Sequence, residues 1–152
     1  MRRCEFLGIL LAAPLTVAPA AGQTEQKLKY QDLPQAVRTA FEKQFRGARI
    51  LGVSSEVDGG GTVYEIECEW RTRHHDITFR PDGALVSTEE TIPMSEVPAA
   101  VSAALRREFP GAEVTRAEKI TEGGAVSYEF QLKGANKREV KYSSDGRLIG
   151  SE

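Results

Sequence analysis

A thiol at Cys68, with imidazoles at His74 and His75 shortly after it, is the one arrangement in this chain that suggests a nucleophile and its base. The surrounding pattern argues against that use. Tyr64, Ile66, Cys68 and Trp70 alternate with Glu65, Glu67 and Glu69. The thiol therefore belongs to the apolar side of a strand, away from any cation that would ionise it. The G-x-S-x-G elbow, the phosphate-binding P-loop, G-x-G-x-x-G and H-E-x-x-H do not occur. The chain reads as non-catalytic.

Metal ligation is the second chemistry to weigh. His74 and His75 are neighbours, so on a strand they point to opposite faces and cannot share an ion. His74 and Asp76 do share a face, and Glu65, Glu67 and Glu69 on the preceding strand can oppose them. Two carboxylates and an imidazole across a hairpin form a donor set for a divalent cation. The later part of the chain has Lys137, Glu139 and Lys141 where His74, Asp76 and Thr78 stand, which does not preserve that set. No metal and no other cofactor is expected. Trp70, the single tryptophan, is expected at the edge of the core, with a binding anchor as the other use of its type.

The elements that position these residues are legible over most of the chain. Of 152 residues, 40% are hydrophobic and 28% charged, which is ordinary globular composition. With 20 basic against 22 acidic residues there is no basic footprint, and nucleic acid is not an expected partner. Residues 1–22 carry the pattern of an export signal: Arg2 and Arg3, an apolar run from Phe6 to Val17, then Ala18-Pro19-Ala20. The run is shorter than the roughly 20 residues that cross a bilayer. Export to the periplasm or beyond, without a stable membrane anchor after cleavage, is the expectation. Cleavage after Ala20 also removes Cys4, leaving Cys68 with no partner for a disulfide.

Beyond residue 22 the chain is one pattern written twice. Leu33-Pro34-Gln35-Ala36-Val37, Phe45-Arg46-Gly47-Ala48 and Tyr64-Glu65 recur 64 positions later as Val97-Pro98-Ala99-Ala100-Val101, Phe109-Pro110-Gly111-Ala112 and Tyr128-Glu129. Asp82-Gly83 and Leu85 recur 63 positions later as Asp145-Gly146 and Leu148. Leu33, Val37, Ala40, Phe41 and Phe45 form a helical stripe, as do Val97, Val101, Ala104, Leu105 and Phe109. Helices over about 33–45 and 97–109 are predicted, with Asp32 and Ser95 as caps and Gly47 and Gly111 as stops. Period-two stretches over about 49–90 and 113–150 predict strands. The fold class expected is α+β: two tandem units, 23–92 and 93–152, each one helix packed on its own three- to four-stranded antiparallel sheet.

These helix starts, helix ends, the Tyr-Glu strands and the Asp-Gly-x-Leu turns resemble the PepSY-like, β-lactamase-inhibitor-like secreted domains, over nearly all of the chain after residue 22. The resemblance implies a helix-on-sheet tandem like that of the β-lactamase inhibitory protein, whose concave sheet grips its target. It implies a protein partner, with an envelope or extracellular peptidase or β-lactamase-like enzyme as the class modulated. The matching positions are structural, so no target-gripping residues carry over. A periplasmic small-ligand or cation-binding module using the same sheet is the other class expected. By alternation, the face away from the helices carries Glu65, Glu67, Glu69, His74 and Asp76, then Glu129, Gln131, Lys133, Lys137, Glu139 and Lys141. These are the candidate binding residues.

Overall fold

The computed structural model describes residues 25–152. The expected export signal lies outside the described residues. Nine strands run in chain order across one antiparallel sheet. They are β1 (Gln26–Lys27), β2 (Arg49–Asp58), β3 (Gly61–Trp70), β4 (Arg73–Phe79), β5 (Leu85–Thr91), β6 (Glu113–Glu122), β7 (Ala125–Lys133), β8 (Glu139–Ser143) and β9 (Leu148–Ser151). Two helices, α1 (Gln35–Gln44) and α2 (Ala99–Glu108), precede β2 and β6.

This corrects the expected fold class. The strands do not divide into two sheets with one helix each, because β5 pairs with β6 from Ser87↔Glu122 to Thr91↔Glu118. The physical reason is the cost of a free sheet edge. Either strand alone would present a row of unpaired N–H and C=O groups, and joining them satisfies both. Hydrophobic alternation specifies which face a residue takes but not which strand lies alongside. The merger was therefore invisible to it.

The local sequence explains the helices, with one change. Neither Asp32 nor Ser95 caps a helix. Each lies in a 3-10 turn, Tyr30–Asp32 or Met94–Glu96, and the carboxylate of Asp32 accepts from the Lys29 amide. The helix N-caps are Pro34 and Pro98, whose carbonyls accept the first helical hydrogen bonds from Arg38 and Ser102. Proline loses nothing there, since an N–H at that position has no partner inside the helix. Gly47 and Gly111 follow the helix ends at φ +82° and +80°, the left-handed conformation that stops a helix.

Both helices lie on the same side of the sheet. Leu33, Val37, Phe41 and Phe45 pack with Val53, Ile66, Cys68, Ile77 and Phe79. Val97, Val101, Ala104 and Leu105 pack with Ala117, Phe130, Leu132, Val140 and Tyr142. Full burial of each large side chain contributes about 1.5–3 kcal/mol. The two clusters are separate, and between them the helix side of β5 and β6 carries Thr88 and Glu90 opposite Ile77 and Lys119. Arg73 crosses that region, pairing with Glu90 at 2.6 Å and with Glu96 at 2.5 Å. It ties the sheet to the turn that leads into α2.

Candidate functional site

Cross-strand partners in an antiparallel sheet project to the same side. Since Cys68, Ile77 and Phe79 face the helices, Glu65, Glu67 and Glu69 face away, opposite Thr78, Asp76 and His74. The same argument places Glu129, Gln131, Lys133, Glu139 and Lys141 on that open side. Ten of the eleven candidate residues thus share one uncovered face. Lys137 does not: it sits in the loop between β7 and β8, outside any strand.

The structure adds residues that sequence reasoning missed. Glu89 on β5 stands opposite Asp76, and Arg116 and Glu118 on β6 stand opposite Gln131 and Glu129. Arg116 pairs with Glu118 at 2.6 Å and with Asp76 at 3.6 Å. Oxygens of Asp76, Glu89 and Glu118 lie within 4.8 Å of one another, so the guanidinium supplies the chain's own cation to that group. His74 Nε2 lies 3.3 Å from Asp76 and 3.7 Å from Glu67. His75 points the other way, buried against Trp70 with ring centroids 5.7 Å apart. The two imidazoles are on opposite faces, as adjacency on a strand requires.

Burial sets the electrostatics of this face. It pushes the carboxyls of Glu65 and Glu129 up to about 7, with neighbouring carboxylates adding to the shift. Glu89 and Glu118 are raised for the same first reason, although Arg116 pulls back on both. Glu118 is the most enclosed of them, at 5% exposure. At one end of the face a depression of about 310 Å³ is lined by Lys27, Leu51, Gly52, Ser54, Glu65 and Glu67, among others. Gly52 helps to form it: a Cβ there would lie 2.8 Å from a Glu67 carboxylate oxygen. The extra residue of the β2 bulge, Leu51, is exposed beside it.

Cys68 is fully enclosed, and burial raises its thiol to about 11. It remains a thiol at neutral pH, opposite the buried His75 on the helix side. Trp70 donates its indole N–H to the Arg46 carbonyl at 3.2 Å and packs edge-on against Phe45. It closes the core beneath the end of α1, with the Arg71 guanidinium 4.1 Å from its ring centroid.

A family model described as "Putative beta-lactamase-inhibitor-like, PepSY-like" matches residues 22–87 and 70–150. The chain belongs to the PepSY-like family. Solved structures share its fold. A "putative periplasmic" protein of Bacteroides eggerthii superposes with a TM-score of 0.67 at 20% identity, over 79% of this chain and 88% of that one. A "BLIP-like" protein of Bacteroides fragilis gives 0.61 at 19% identity, over 79% and 85%. No curated protein sequence matches the chain. Among the described residues of this PepSY-like protein, no helix is long and apolar enough to cross a membrane.

Proposed function

We propose that this PepSY-like chain is an exported, non-catalytic module that binds a protein partner through its open sheet face. The class of partner is an envelope or extracellular enzyme whose activity the module modulates, a peptidase or a β-lactamase-like enzyme. The observation that carries this reading is the one-sided architecture. Both helices pack on one face of the sheet, and the other is a broad polar surface with nothing among the described residues laid across it. The description of one similar fold as BLIP-like supports the binding role. The periplasmic description of another supports export, as does the pattern of residues 1–22.

The test is capture of a partner from an envelope extract by the chain without residues 1–22, in parallel with the double variant Glu67→Lys/Glu69→Lys. Both side chains are about half exposed, so folding stability should change by only about 0.5 kcal/mol. Charge reversal in the face should abolish capture of the specific partner. Equal capture by the folded variant would remove the open face from the proposal.

A further inference from the structure

The sheet pairs its charges in two different ways. Acids oppose bases at Arg49↔Glu69, Glu113↔Lys133 and Glu129↔Lys141 on the open side, and at Glu90↔Lys119 on the helix side of the central β5–β6 seam. Across the middle of the open face acids oppose acids. Glu67 faces Asp76, Asp76 faces Glu89, and Glu118 faces Glu129. Like charges directly opposite on antiparallel strands destabilise a sheet, yet this fold sustains three such pairs over β3 to β7. Neighbouring nitrogen groups offset them only in part. Arg116 serves Asp76 and Glu118 together, and His74 sits beside Glu67 and Asp76. Glu65, Glu89 and Glu129 make no ion pair within 4 Å among the described residues that would neutralise them.

We propose that the partner held by the open face is basic, with lysine or arginine side chains seated over the Glu67–Asp76–Glu89 row and the Glu118–Glu129 pair. The inference rests on the protein-binding role proposed above and specifies its chemistry. A basic surface supplies the missing counter-charge without disturbing the core, since the acid–acid pairs belong to the face opposite both helices. A neutral or acidic partner would leave those pairs uncompensated and remove water that now screens them. Electrostatic complementarity of this kind selects partners and accelerates encounter.

The test uses a capped hexa-arginine peptide as probe, titrated into the chain lacking residues 1–22 by calorimetry at low ionic strength. The informative variant is Glu67→Gln/Glu89→Gln, which keeps side-chain shape and removes two central charges. The control is Glu42→Gln/Glu108→Gln, which removes two charges from the helices and keeps the acceptors for Tyr30 and Tyr142. Binding should weaken about tenfold in the central variant and less than twofold in the control. Equal weakening in both would reduce the effect to net charge and overturn the proposal, as would a wild-type chain that does not bind the peptide. Salt-sensitive self-association in sedimentation, lost in the central variant, would assign the face to a second copy and also overturn it. An extract partner lost on Glu67→Lys/Glu69→Lys but retained on Glu67→Gln/Glu89→Gln would leave the protein-binding role standing and refute the basic partner.

Discussion

Replacing Gly83 with alanine tests how the turn after β4 is fitted to α1. The residue has φ +84°, and a Cβ there would lie 2.6 Å from the Ala36 carbonyl oxygen and 3.0 Å from its carbon. Those atoms belong to the first turn of α1 and cannot rotate aside as a side-chain tip can. Two costs therefore add. The left-handed backbone costs a non-glycine residue about 1–2 kcal/mol. Relieving the overlap means lifting the turn from the helix, an overpacking cost of about 1–3 kcal/mol. A total near 3 kcal/mol is a large share of the roughly 5–15 kcal/mol that stabilises a domain of this kind. Gly60→Ala separates the two costs, because Gly60 has nearly the same φ, +85°, and nothing within 4 Å of a Cβ. Urea unfolding followed by Trp70 fluorescence should show a midpoint lowered by about 1.5–2 M for Gly83→Ala, taking a slope of about 1.5–2 kcal/mol/M. Gly60→Ala should show about half that or less. Equal shifts would refute the close approach and leave only the backbone cost.

Other outcomes rest on the same geometry. Cys68 should react with a thiol reagent slowly in the native protein and rapidly once unfolded, because it is enclosed and its thiol is raised to about 11; fast native labelling would overturn the assignment of sheet faces. Glu65 and Glu129 have folded pKa values above their unfolded ones, so their contribution to stability is full below about pH 4.5 and is lost as pH rises through about 7. Glu65→Gln/Glu129→Gln should therefore flatten the fall in thermal midpoint between those limits, and an unchanged profile would refute their burial. His75 acts with the opposite sign, since burial lowers its pKa. It favours the fold above its unfolded value of about 6.5 and loses that contribution as pH falls, which His75→Phe should diminish in a melt series. Thr72 holds φ +67° in the two-residue turn between β3 and β4, an unfavourable conformation for a β-branched residue. Thr72→Gly should raise stability by about 0.5–1 kcal/mol in urea; a loss would show that the turn is held by side-chain contacts.

The sequence was most informative where a local pattern has a single physical meaning. The stripe from Leu33 to Phe45 marked the side of α1 that is buried, and Tyr64 to Trp70 assigned Cys68 to the helix side and Glu65 to the open side. Hidden features came from interactions distant along the chain. On β5, Ser87, Glu89 and Thr91 alternate with Thr88 and Glu90, so both faces read as polar and neither announces itself. On β6 polarity misleads: Ile120 lies on the open side and Lys119 on the helix side. Only register against the neighbouring strands resolves these faces, with Glu89 opposite Asp76 on β4 and Glu118 opposite Glu129 on β7, and alternation alone does not carry that register. The central acids Glu89 and Glu118 were missed for that reason. Lys137 was misplaced for a simpler one, since the strand pattern was extended through a loop.

The β5–β6 seam determines how this protein can be taken apart. Its five residue pairs join two separate hydrophobic clusters through hydrogen bonds rather than through a shared core. A cut directly after Thr91, which keeps Ile92 and Val97 with the second cluster, would leave each fragment with its own helix and cluster, and with one newly bare edge able to recognise the other fragment. Such halves are natural components for split-protein reconstitution, in which the open surface is restored only when both pieces meet.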